Sequence, residues 1–106
     1  MTEEAHCGPC NAETPPLTEA ERAERLAQLK GWSIVDGRLT KVFALKDFMG
    51  PMNMANKVAE AAEKMGHHPD LHIHWGELTV VIWTHSINNL SHADFDLAGK
   101  IEDLTP

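Results

Sequence analysis

Three things are scarce in this sequence: long apolar runs, clustered bases and cysteine. No window approaches the roughly eighteen consecutive apolar residues of a membrane-spanning helix. Met1 to Cys10 are acidic and polar, where a secretory leader would be basic and then apolar. A soluble, cytoplasmic chain with no membrane partner is the expectation. Bases number 9 against 16 acids, a formal net charge of −7, and no Lys/Arg cluster is long enough to follow a phosphate backbone. Direct nucleic-acid binding is therefore disfavoured. The 2 cysteines both lie in Cys7-Gly8-Pro9-Cys10. A thioredoxin-type pair must follow a strand and open a helix, but nothing strand-like precedes this one and Pro15-Pro16 follows it. A zinc knuckle using His6 would lack a fourth ligand unless a second subunit gave one. An incidental pair in a flexible tail is the simplest reading, with a labile disulfide left open.

What is abundant is histidine. There are 7 in 106 residues, and His67, His68, His72, His74 and His85 crowd into one short stretch. The length suits one hydrophobic core, and 42% apolar with 24% charged residues is ordinary globular composition. One domain is expected over residues 17–106, after a flexible tail over 1–16.

Local signals give an element order. Thr18-Glu19-Ala20-Glu21 fits a capping box, Leu26, Ala27 and Leu29 supply an apolar stripe, and Gly31 ends that helix. Trp32–Val35 and Leu39–Leu45 favour strands, joined across Asp36-Gly37, which tolerates the positive φ of a tight hairpin. Phe48, Met52, Ala55, Val58, Ala59, Ala62 and Met65 recur at helical spacing, with Pro51 in the first turn and a stop at Gly66 and Pro69. Leu71, Ile73 and Trp75 then alternate with His72 and His74, and after Gly76-Glu77 a β-branched run extends from Leu78 to His85. Ser91-His92-Ala93-Asp94 resembles a second cap, ahead of a helix carrying Phe95, Leu97, Ala98, Ile101 and Leu104. The order α-β-β-α-β-β-α implies an α+β fold: one four-stranded antiparallel sheet with three helices packed on one face.

Imidazole exchanges protons near neutrality, so two rings on opposite sides of a substrate can give and take a proton in one step. His67 and His68 follow the long helix, with His68 held extended by Pro69, and His85 closes the last strand. In an antiparallel hairpin the start of the first strand lies beside the end of the second. The three rings would then meet at one edge of the sheet.

Glu63-Lys64-Met65-Gly66-His67-His68-Pro69, then Trp75, Thr84-His85 and Asp94, resembles the signature of the pterin-4a-carbinolamine dehydratase family. The likeness runs from Leu17-Thr18 through Gly31-Trp32 to the final helix, and a motif of so many parts rarely arises by accident. The resemblance implies dehydration of 4a-hydroxytetrahydrobiopterin, the adduct left by an aromatic amino acid hydroxylase, to quinonoid dihydropterin. It implies no metal and no organic cofactor. It further implies His67 and His85 as general acids toward the departing hydroxyl, and His68 as a pterin-binding or basic residue. Glu63 would orient a histidine, with Trp32 and Asp94 as pocket lining or support. The chain departs from the family in having Gly66 before the histidine pair, Leu71 in place of a second aromatic, and Gly76-Glu77 where a basic residue is common in the turn.

Plainer readings compete. A histidine pair at a helix end, taken alone, reads as a cation complementing the helix dipole. Adding His85, Trp75 and Glu63 at family spacing reverses that preference. His72 and His74 read as the solvated face of a strand. Their combination with Glu77 resembles part of a two-histidine, one-carboxylate metal site, but the rest of such a barrel is absent. The family resemblance also implies non-enzymatic roles, as a dimerisation cofactor of a homeodomain transcription factor or an assembly factor for a carbon-fixing enzyme. The intact trio favours the enzyme. A homodimer or a dimer of dimers is expected, because uncovered sheet edges invite a second copy.

Overall fold

The computed structural model describes residues 13–104, so the Cys7/Cys10 pair and the zinc reading with His6 lie outside the described residues. Helix α1 spans Glu19–Ala27. Its capping box is formed as the sequence indicates: the Glu21 N–H donates to Thr18 Oγ1 at 3.1 Å, and the Thr18 N–H donates to Glu21 Oε1 at 2.8 Å. The helix stops at Ala27 with Gln28 as its cap, short of the expected end at Gly31. Upstream, the Leu17 N–H donates to the Leu90 carbonyl at 3.0 Å and holds the start of the fold against its last loop.

Strands β1 (Ser33–Val35) and β2 (Arg38–Ala44) form the first hairpin. Asp36 and Gly37 both have positive φ, 52° and 77°, which matches the right-handed twist of the strands they join. Helix α2 runs over Met49–Met65, and the Gly50 N–H donates to Asp47 Oδ1 at 3.1 Å. Its buried face is Pro51, Met54, Ala55, Val58 and Ala62. The expected stripe needs correcting: Phe48 is exposed ahead of the helix, Ala59 is exposed, and Met52 and Met65 are only half-buried, with Met54 taking an inward position.

Strands β3 (Asp70–His74) and β4 (Glu77–Ile82) form the second hairpin. Trp75 lies in its turn, 75% exposed, rather than on the strand's inward face. β4 ends at Ile82, so His85 does not close a strand. The chain instead makes a Thr84–Asn89 bridge and a single 3₁₀ turn at His85–Ile87. Helix α3 (His92–Glu102) closes the fold, capped by Ser91.

The sheet order is β1-β2-β4-β3, antiparallel throughout. On one face of the two central strands Leu39, Phe43, Leu78, Val80 and Ile82 are buried together with Val58, Leu97 and Ile101 of the helices, while Lys41, between the first two, is only partly buried. Complete burial of each such aliphatic side chain contributes about 1.5–3 kcal/mol, so this one layer is the main source of stability. The opposite sheet face carries Val42, His72 and His74, all exposed. Alternation therefore placed His72 and His74 correctly. Among the described residues no helix is long and apolar enough to cross a membrane, and no group of three or more His, Cys, Asp or Glu is placed to hold a metal ion.

Candidate active site

Helix α2 ends in a motif that aims His67 inward. The Gly66 N–H donates to the Glu63 carbonyl at 3.2 Å and the His67 N–H to the Ala62 carbonyl at 3.1 Å, with Gly66 at φ 69°. That left-handed position suits glycine, asparagine or aspartate. The departure at Gly66 therefore leaves the turn before the histidine pair intact.

His67 is 2% exposed, and its Nε2 lies 2.5 Å from Asp94 Oδ1. Asp94 is itself fully buried in the first turn of α3. Its other oxygen, Oδ2, accepts from the Ser91 N–H at 2.8 Å and from the Thr84 hydroxyl at 2.8 Å. Thr84 Oγ1 is 2.7 Å from Ser91 Oγ, and the Ala93 N–H donates to Ser91 Oγ at 3.3 Å. Burying these polar groups would cost several kcal/mol if they were unpaired. Among the described residues no buried side-chain nitrogen or oxygen is left without a partner.

His68 lies nearer solvent, with Nε2 2.7 Å from Glu63 Oε2 one helical turn back. The Glu63 side chain is 75% exposed, so this pair orients the ring more than it stabilises the fold. His85 is exposed and stacks on Trp83 with ring centroids 4.2 Å apart at 21°. The Arg38 guanidinium sits 4.1 Å from the Trp83 ring centroid.

The register brings these parts together. Asp70 pairs with Val81, so the residues just before β3 lie beside those just after β4. His67 is linked through Asp94 to Thr84, the neighbour of His85. Trp32 lies elsewhere. Its Nε1–H donates to Glu102 Oε2 at 2.8 Å, at the far end of α3 and roughly 12 Å along the helix from Asp94, and its ring packs edge-on to Phe43. Glu102 also accepts from Lys41 Nζ at 2.6 Å. Trp32 is thus a core residue with a satisfied polar tip, placed apart from the histidines.

Sequence reasoning passed over Thr84, Ser91 and Trp83. The first two were visible only as the residue before His85 and as a helix cap; their joint burial is a long-range outcome. Two grooves of about 720 and 420 Å³ lie on the helical side, bordered by Arg25, Phe95 and Lys100 and by Lys57, Lys64 and Lys100, and neither includes a member of the trio.

Fold and site together define a small α+β protein with a buried histidine–carboxylate pair at one end of its sheet. The sequence profile of pterin 4 alpha carbinolamine dehydratase matches residues 15–104, and the chain belongs to that family. A Rickettsia bellii relative, provisionally named a pterin-4-alpha-carbinolamine dehydratase, is 46% identical over 98 residues, covering 91% of this chain and 87% of that protein. A Chlorobaculum tepidum relative with the same provisional name is 38% identical over 106 residues, covering 96% of each. The crystal structure of a transcriptional coactivator/pterin dehydratase from Brucella melitensis matches with a TM-score of 0.80 and 35% identity, over 87% of this chain and 100% of that one. The α+β architecture expected from the sequence is the architecture of this structural relative.

Proposed function

We propose that this chain dehydrates 4a-hydroxytetrahydrobiopterin to quinonoid dihydropterin by histidine acid–base catalysis, and so recycles the pterin spent by an aromatic amino acid hydroxylase. The observation that supports this most is the buried His67–Asp94 pair, set within a family match that spans nearly all the described residues. The carboxylate serves the fold as a helix cap, but packing does not call for an ionisable ring set against it, since apolar residues of like volume in place of a buried ion pair are often as stable.

In the reaction the carbinolamine C–O bond breaks and its oxygen leaves as water after taking a proton. The neighbouring ring N–H gives up its proton as the C=N bond forms. Protons are moved and no nucleophile is needed, so positioned imidazoles suffice. His85 is exposed and supported by Trp83, which makes it the acid with open access to the departing hydroxyl. His67, 2% exposed, is held in place by Asp94. His68, oriented by Glu63, is the pterin-binding or basic residue. The reaction in this reading uses no metal or organic cofactor.

The test is a set of single variants, His67→Ala, His68→Ala and His85→Ala, assayed on carbinolamine generated in situ. A large loss of rate in at least one is expected, and wild-type rates in all three would overturn the reading.

A second role is supported by the double name of the Brucella melitensis protein, coactivator and dehydratase. Val35, Val42, Phe48, Met49 and Trp75 expose apolar surface that such a protein-binding role, or assembly into a cytoplasmic homodimer or homotetramer, would cover. Light scattering of the purified protein reads the assembly directly, and a monomer at micromolar concentration would remove that part of the proposal.

A further inference from the structure

We propose that Thr84 and Ser91 are positioning residues which, through Asp94, keep the Nε2 proton on His67 and leave Nδ1 as the nitrogen that exchanges a proton. The inference rests on the reading of His67 as a working acid–base group. It follows from counting protons in the buried network.

The Asp94 Oδ2 atom accepts from the backbone N–H of Ser91, a donor that cannot reverse. It also accepts from the Thr84 hydroxyl, whose single proton is used there. The 2.7 Å contact between Thr84 Oγ1 and Ser91 Oγ must then be made by the Ser91 proton. Ser91 Oγ in turn accepts from the Ala93 N–H. Two hydroxyls are thereby ordered head to tail, from Ser91 to Thr84 to Asp94.

The consequence reaches the ring. Oδ2 thus serves twice as an acceptor, the role of an ionised carboxylate. An ionised carboxylate only accepts, so the 2.5 Å contact at Oδ1 requires a proton on His67 Nε2. Neutral imidazole carries one N–H, which leaves Nδ1 bare and able to take a proton, or to give it back once taken. Were the Thr84 donor absent, the pair could take up one proton from solvent, so that a protonated Oδ1 donates to a bare Nε2 and the neutral ring carries its own proton on Nδ1.

Ring tautomers are read directly from long-range proton–nitrogen correlation spectra of protein labelled with 15N-histidine, with His67→Ala supplying the assignment. In the wild type, Nε2 of His67 is expected to give the protonated type of resonance and Nδ1 the bare type. Thr84→Val keeps the shape but removes the donor, and should bring both nitrogens to averaged positions or invert them. Thr84→Ser, which restores the hydroxyl, should restore the wild-type pattern. A Thr84→Val spectrum unchanged at His67 overturns the inference, as does a wild type protonated at Nδ1.

Should Thr84→Val fail to fold, Thr84→Ala removes the same donor with a smaller side chain and is read in the same way against the same two outcomes. Kinetics give the second readout. Thr84→Val should lower kcat on the order of ten-fold with KM unchanged, the lower end of what losing an outer-shell partner costs at a metal-binding histidine. A shifted tautomer with wild-type kcat would support the positioning described here and overturn the assignment of His67 to the chemistry. The failure of one reading is therefore distinguishable from the failure of the other.

Discussion

Replacing Asp94 by asparagine changes only one atom and the charge, yet every contact of the side chain is affected. Ser91 presents a backbone N–H and Thr84 a hydroxyl to the same oxygen, so the amide oxygen must face them. The amide nitrogen is then forced toward His67, where two donors would meet unless the ring moves its proton to Nδ1. Hydrogen bonds to a charged group contribute about 1.5–3 kcal/mol, against about 1 kcal/mol for neutral ones. Two bonds weakened by that difference, and a third kept only by a tautomer change, destabilise the fold by roughly 2–3 kcal/mol. For a domain of this size that corresponds to a fall in Tm of roughly 10–20 °C. The dehydratase rate should fall on the order of 10–100-fold. Thermal unfolding followed by circular dichroism, with kcat measured well below the variant's Tm, checks both numbers. A variant within 3 °C of the wild-type Tm and within two-fold of its rate would refute the reasoning (thresholds set from about 0.5 kcal/mol).

Other outcomes follow from single positions. Gly66→Ala places a Cβ in a left-handed conformation and should cost about 1–2 kcal/mol by chemical denaturation, whereas Gly66→Asn should cost less; equal costs would contradict the role given to that turn. Trp32→Phe loses the bond to Glu102 and should lower stability by about 1 kcal/mol while leaving kcat in place, and a large kcat effect would show that Trp32 acts on the site after all. Glu63→Gln should shift stability by less than about 1 kcal/mol, because its partner contact is solvent-facing; any larger change in urea midpoint would contradict this. Leu78→Ala empties a fully buried position between the sheet and the helices and should cost about 2–5 kcal/mol, measured by urea unfolding.

The readable parts of the fold were those decided within a few residues. Both caps, Thr18 with Glu21 and Ser91 with Asp94, close through neighbours in sequence, as does the Asp36-Gly37 turn. What sequence misplaced was decided at long range. The β-branched run from Leu78 gave no local reason to stop at Ile82. The strand ends there because Thr84 turns away to meet Ser91 and Asp94. Apolar spacing in α2 fitted Met52 and Ala59 as well as Met54, and the sheet beneath selected Met54. Trp32 was drawn toward the site by its place in the family pattern, whereas its polar tip is taken by Glu102, 70 positions away. The pairing of His67 with Asp94 was not legible in the sequence: the resemblance offered Asp94 only as pocket lining or support, and nothing in local spacing joins a helix end to the cap of another helix.

One carboxylate both starts α3 and holds the ring of His67. In many proteins the reactive group is a burden on the fold, and an inert replacement raises the melting point. Here the two demands fall on the same atoms, since no smaller or less polar side chain can cap Ser91 and receive Thr84 while releasing the histidine. A search for stabilising substitutions should therefore pass over residue 94. Drift under selection for foldability alone would tend to preserve this corner of the molecule even where the chemistry had ceased to matter. An intact Asp94 in a distant homologue is accordingly weaker testimony to activity than an intact His85, which is exposed and which no helix requires.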